Sequence, residues 1–136
     1  MNFDQMRRLC GWHFSVIGAA SLPGYELSAD LRGYAGARPK AGSKILGVLY
    51  EVDQFCIDAL DNFEGYPEIF GRTEAKVADL NSDTFKAWVY LQAPENLGGQ
   101  NIKEDHLNRI IAGAAANHLP KTWLKFLESF RQKTNS

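Results

Sequence analysis

Glu64 stands out chemically in this 136-residue chain, because the sequence puts its carboxyl where its surroundings resist ionisation. In Leu60-Asp61-Asn62-Phe63-Glu64-Gly65-Tyr66-Pro67 an amphipathic helix runs into a Gly/Pro turn carrying two carboxylates. Glu64 follows Leu60 by four positions, so on a helix it continues the core-facing row of Cys56 and Leu60. It also falls at the C-terminal end, where the helix dipole disfavours an anion. Burial and dipole both raise a carboxyl pKa, and a carboxyl poised nearer neutral pH is a candidate proton shuttle. A solvated glutamate at a helix end is the other reading these residues leave open.

The remaining candidates are weaker. Asp61 at the same helix end reads as a surface charge, and Glu68 beside Pro67 as a residue facing water. Tyr90, two positions from Trp88 on a strand, either points into a cavity or packs against neighbours, and Tyr50 is a second cavity-lining candidate. His106 falls in the first turn of its helix and is expected to be exposed. Ser15, Ser21 and Ser43 have neither a Gly-x-Ser-x-Gly elbow nor a nearby His-Asp pair, and no phosphate-binding glycine loop follows a strand. Cys10 and Cys56 lack a CxxC spacing, and His13, His106 and His118 do not approach a metal-ligand pattern, so no metal and no cofactor are expected. Both cysteines are expected as free, reduced, small apolar core residues, which points to the cytoplasm.

The composition, 45% hydrophobic and 23% charged, is that of one globular domain spanning residues 1–136, large enough to need neither metal nor disulfide. A formal charge of -1 lacks the basic excess that binding a phosphate backbone demands, so nucleic acid is not an expected partner. No apolar run reaches the roughly 18 to 20 residues of a membrane span, and the N-terminus lacks the apolar stretch of a secretory signal.

The elements that must position these residues follow from apolar spacing. Phe3, Met6 and Cys10 mark a short first helix stopped by Gly11. Strands are expected over Trp12–Ala19 and Tyr25–Leu31, separated by a turn at Leu22-Pro23-Gly24, with a loop or short irregular strand over the surface from Arg32 to Ser43. Lys44–Val52, apolar on both faces, is expected as a central strand. Asp53 offers an N-cap for a helix burying Cys56, Ala59, Leu60 and Phe63. Ile69–Leu80 and Thr84–Ala93 form a hairpin around Asn81-Ser82-Asp83. Leu107, Ile110, Ile111, Ala114 and Ala115 mark one further helix, and Trp123, Phe126, Leu127 and Phe130 a last one, with Pro120 near its first turn. The class is α+β, a small mixed, mostly antiparallel β-barrel or sheet with flanking helices.

Four segments taken in order, Ala20-Ser21-Leu22-Pro23-Gly24-Tyr25, Gly47-Val48-Leu49-Tyr50-Glu51-Val52, the stretch from Leu60 to Pro67, and Ala87-Trp88-Val89-Tyr90, resemble the γ-glutamylcyclotransferase-like (AIG2-like) family. The run from Ile110 through His118-Leu119-Pro120 to Leu127 resembles the tail of its bacterial branch. The resemblance covers nearly the whole chain, and the Leu-Asp-x-x-Glu-Gly-x-Pro pattern followed by Arg72 is its most specific part. It implies conversion of a γ-glutamyl amine or peptide to 5-oxoproline and free amine, with Glu64 as acid/base, a small-molecule γ-glutamyl compound as partner, and no cofactor, while Tyr50 and Tyr90 stay weaker cavity-lining candidates beside it. Two departures stand against it. Relatives open with a strand leading into a Tyr-Gly-Ser-Asn-like loop that holds the γ-glutamyl group, whereas this chain starts where that loop should end; Phe70 replaces a tyrosine common in relatives. The alternative is a non-catalytic small-molecule-binding or inactive relative without the loop. A sheet lacking that strand would show an open cavity beside Glu64, or pair its bare edge with a second copy as a homodimer.

Overall fold

The computed structural model describes residues 2–66 and 70–132. Helix α1 (Phe3–Cys10) starts where the Asn2 side chain accepts a hydrogen bond from the Gln5 amide at 3.0 Å, and it buries Met6 and Cys10, one turn apart. Two long strands follow, β1 (Phe14–Asp30) and β2 (Ala35–Val52). The Leu22-Pro23-Gly24 turn expected from the sequence is absorbed into β1, and the Arg32–Ser43 stretch, expected as a loop or short irregular strand, belongs to β2 from Ala35 on, with Arg32–Tyr34 outside the strands. The glycines and prolines that signal breaks instead mark bulges, with register shifts between Val16 and Gly18 and between Pro23 and Tyr25. Gly24 takes a φ of 84°, a value its missing Cβ makes inexpensive. The weakly apolar part of β2 holds its pairing with charge. Arg38 lies directly across from Glu26 and donates to it from Nε at 2.8 Å, while the Lys40 ammonium reaches the same carboxylate at 3.2 Å.

Helix α2 (Gln54–Glu64) leads to the hairpin of β3 (Phe70–Asp79) and β4 (Thr84–Gln92). A 3₁₀ turn at Pro94–Asn96 and a short strand β5 (Leu97–Gly99) follow, and α3 (Glu104–Ala116) and α4 (Lys121–Glu128) complete the chain. The sheet runs β2-β1-β3-β4, with β5 pairing β1, and every strand pair is antiparallel. It is an α+β fold, as expected, but β2 is an edge strand rather than a central one. Its apolar run has another cause: Leu46 packs on one hydrophobic cluster, and Tyr50 and Val52 on another. The sheet stays open yet curls, so that a Cβ on Gly36 of β2 would come within 2.8 Å of Gln92 Nε2 on β4.

The larger cluster joins β1 to the two C-terminal helices through Ala19, Ala29, Ile102, Leu107, Ala114, Leu119 and Leu127. The smaller one holds Met6, Cys10, Cys56 and Leu60 between α1 and α2, with Phe14, Tyr50, Val52 and Tyr90 packed on it. Here another expectation fails, because Cys10 and Cys56 form a disulfide across a sequence separation of 46, with Cα atoms 4.7 Å apart. No sequence spacing announces a pairing made only when α1 docks beside α2. It also removes the step from free thiols to a reducing compartment. Among the described residues no helix is long and apolar enough to cross a membrane.

Candidate functional site

Helix α2 sets the site, and both its ends are capped. Asp53 accepts from the Cys56 amide at 3.0 Å, and that hydrogen bond, with the His13 ring 2.7 Å from its carboxylate, holds the Asp53 carboxyl below its usual range. At the other end Gly65 adopts the left-handed conformation, with φ 71°, and the Tyr66 amide donates to the Asp61 carbonyl at 2.9 Å. Between these stops the buried row is Cys56 and Leu60. Phe63, expected on that face, is 54% exposed, and Glu64 takes the inward place one turn beyond Leu60.

Glu64 is half-buried, and among the described residues its carboxylate has no hydrogen-bond or ion-pair partner. Burial pushes its carboxyl above the ordinary value, with only a weak opposing pull from Arg32 among the described cations. A partly desolvated carboxyl with free lone pairs can take a proton from, and return it to, a bound molecule. Tyr50 and Tyr90, on β2 and β4, both meet the cluster that contains Leu60. Both tyrosines thus meet the helix that carries Glu64 through the cluster around Leu60, one turn before it. Burial pushes the Tyr50 phenol up to about 12. Tyr90 is raised further, by burial first and then by its bond to Asp61, and it also feels the negative charge of Glu64.

Asp61 is the residue that sequence reasoning undervalued. Far from being a surface charge, its carboxylate is only 18% exposed and accepts from Tyr90 Oη at 2.5 Å, from Arg72 Nε at 3.0 Å and from Arg72 Nη2 at 3.2 Å. The hairpin explains the convergence. Arg72 on β3 pairs directly with Tyr90 on β4, and Trp88, two residues earlier, shares their face. The guanidinium lies 4.4 Å from the Trp88 ring centre and 4.7 Å from that of Tyr66. Only the three-residue offset between Asp61 and Glu64 hinted that the two carboxylates occupy neighbouring faces of one turn. His106, expected to be exposed, is half-buried against Tyr34, and burial lowers its pKa. Glu68 lies outside the described residues.

Comparison with known proteins gives the chain a family and its fold a set of neighbours. Residues 1–110 match the family described as Gamma-glutamyl cyclotransferase, AIG2-like. A stretch of 54 residues is 39% identical to Gamma-glutamylaminecyclotransferase A of Danio rerio, covering 38% of this chain and 34% of that protein. The aligned segments amount to about a third of the length of the curated relatives they match. Among solved structures, one titled Gamma-glutamyl cyclotransferase superposes with a TM-score of 0.86 at 16% identity, covering 99% of this chain and 85% of that one. An uncharacterized protein from Homo sapiens superposes with a TM-score of 0.81 at 19% identity, covering 97% and 84%. At these identities the superpositions speak to the fold.

Proposed function

The chain belongs to the gamma-glutamyl cyclotransferase, AIG2-like family, and from that premise we propose that it converts a γ-glutamyl amine or peptide to 5-oxoproline and the free amine, with Glu64 moving the protons. The observation that carries this reading is the placement of Glu64, half-buried, unpartnered among the described residues and raised in pKa at the end of α2.

The reaction asks little of a protein beyond position and proton transfer. In a γ-glutamyl amide the α-amino nitrogen sits within five-ring reach of the γ-carbonyl carbon, and a held near-attack geometry is worth effective molarities of about 10⁵–10⁸ M. At neutral pH that nitrogen is an ammonium and has no lone pair to attack with. The Glu64 carboxylate takes one proton, the amine attacks the γ-carbonyl, and the bond from the γ-carbon to the amide nitrogen breaks as that nitrogen receives a proton from Glu64. The ring nitrogen, left with two hydrogens by the attack, then gives up one of them through Glu64 to the released amine, which departs as an ammonium; atoms and charge balance, and Glu64 ends ionised as it began. A carboxyl of raised pKa suits both halves, since it is basic enough to accept and acidic enough to return. In this reading Tyr50 and Tyr90, which pack on the cluster containing Leu60, line the space for the γ-glutamyl group.

Incubation with γ-glutamyl compounds of each class tests the reading: a γ-glutamyl amino acid, glutathione, a γ-glutamyl polyamine and a lysine carrying a γ-glutamyl group on its side chain. Release of 5-oxoproline from at least one is expected. Release from none would contradict it.

A further inference from the structure

The Tyr90 hydroxyl has one hydrogen and two lone pairs, and the structure commits the hydrogen. It points to Asp61 Oδ1, 2.5 Å away, and Asp61 is itself fixed by Arg72 through two hydrogen bonds, with the guanidinium held between the Tyr66 and Trp88 rings. A phenol locked in this way offers its surroundings only an acceptor. The same oxygen lies on the side of α2 that carries Glu64, whose charge reaches it, and the Tyr90 ring packs on the cluster containing Leu60, one turn before Glu64.

We propose that Tyr90, oriented by Asp61 and Arg72, accepts a hydrogen bond from the nitrogen that closes the ring, so that the site selects a γ-glutamyl group by its α-nitrogen hydrogens. This rests on the γ-glutamyl reading above and adds a specificity-determining contact to it. The ammonium of the substrate has three hydrogens: one goes to Glu64 as the reaction begins, and a second is held by Tyr90, which fixes the direction of the attacking lone pair. The lactam product keeps one N–H and keeps the contact. Asp61 and Arg72 are positioning residues, acting only through the orientation of the Tyr90 hydroxyl.

A matched pair of ring compounds separates this contact from a merely structural network. 5-Oxoproline and 5-oxotetrahydrofuran-2-carboxylate share ring, carboxylate and carbonyl, and differ in an N–H replaced by an oxygen that donates nothing. Calorimetry on the unaltered chain should find the lactam bound about tenfold more tightly, the worth of one well-made hydrogen bond near the upper end of its range. In Tyr90→Phe, which keeps the ring and its packing, the preference should fall below about threefold, mainly through weaker lactam binding. Asp61→Asn should lower the preference too, because the phenol proton is then no longer fixed. A preference unchanged in Tyr90→Phe, or equal binding of both compounds to the unaltered chain, would overturn the proposal while leaving the γ-glutamyl reading standing. Binding of neither compound would overturn both. An equal loss of affinity for the two in Tyr90→Phe would assign the network a structural role alone and so also overturn the proposal.

Discussion

The two hydrophobic clusters of this fold are built differently. The larger joins β1 to α3 and α4 with aliphatic side chains, and its buried members carry no polar group. The smaller has four buried residues, two of them joined as a disulfide, and its rim carries the phenols of Tyr50 and Tyr90, with Asp61, Arg72 and Glu64 beyond. The larger has enough apolar area to hold its elements together unaided. The smaller cannot do so while lending a wall to a polar site, and the cross-link ties α1 to the base of the helix whose far end presents Glu64. On the proposed function, support and chemistry are divided between the clusters, and perturbations of the two should part company.

The largest stability effect should come from the support. Leu107 is fully buried, so Leu107→Ala should lose about 2–5 kcal/mol in urea unfolding. Well below its melting temperature that variant should retain wild-type turnover; a loss of turnover in step with stability would erase the division. Next comes the cross-link. Replacing both Cys10 and Cys56 by alanine should cost about 2–4 kcal/mol, as expected for opening a loop of this length. Unlike the leucine variant, it should also depress turnover by the chains that remain folded, because it loosens the base of α2. Equal behaviour of the two variants would count against a separate site cluster.

A smaller effect of opposite sign belongs to Glu64. Its carboxyl is raised in the folded chain above its ordinary value of 4.5, so the folded state binds that proton more tightly than the unfolded state does. The stability linked to this group is therefore full below the ordinary value and lost as pH rises through the raised one. Glu64→Gln removes the penalty of a half-buried anion, and its melting temperature should exceed that of the wild type at pH 7. The gain should shrink as pH falls through the raised value and be gone below about 4.5. Melting curves across pH check this, and a Gln variant less stable than wild type at pH 7 would assign the glutamate to structure rather than chemistry.

Much of this division was legible in the sequence where it depended on local spacing. The Asp53 cap, the Cys56 and Leu60 row, the Gly65 stop and the inward facing of Glu64 follow from helical periodicity and cap chemistry. The β3–β4 hairpin follows from Asn81-Ser82-Asp83. What escaped was long-range. Pro23, Gly24 and Gly42 signal breaks by type, yet 17- and 18-residue strands absorb them as bulges because pairing along β1 and β2 fixes the backbone on both sides. The Cys10–Cys56 bond needs two helices side by side, and the Asp61 network joins residues 11 and 29 positions apart that meet only through the hairpin register. Asp61 read as a surface charge because nothing nearby in sequence could pair with it.

The most direct test of the central claim compares 5-oxoproline release by the wild-type chain and Glu64→Gln on whichever γ-glutamyl compound the wild type accepts, with both folds verified by circular dichroism. The amide is nearly the size and shape of the carboxyl but cannot take the ammonium proton. The account predicts a folded variant slowed by about 10²- to 10⁴-fold, the usual worth of a general acid/base. A folded Glu64→Gln chain that releases 5-oxoproline at the wild-type rate would contradict it.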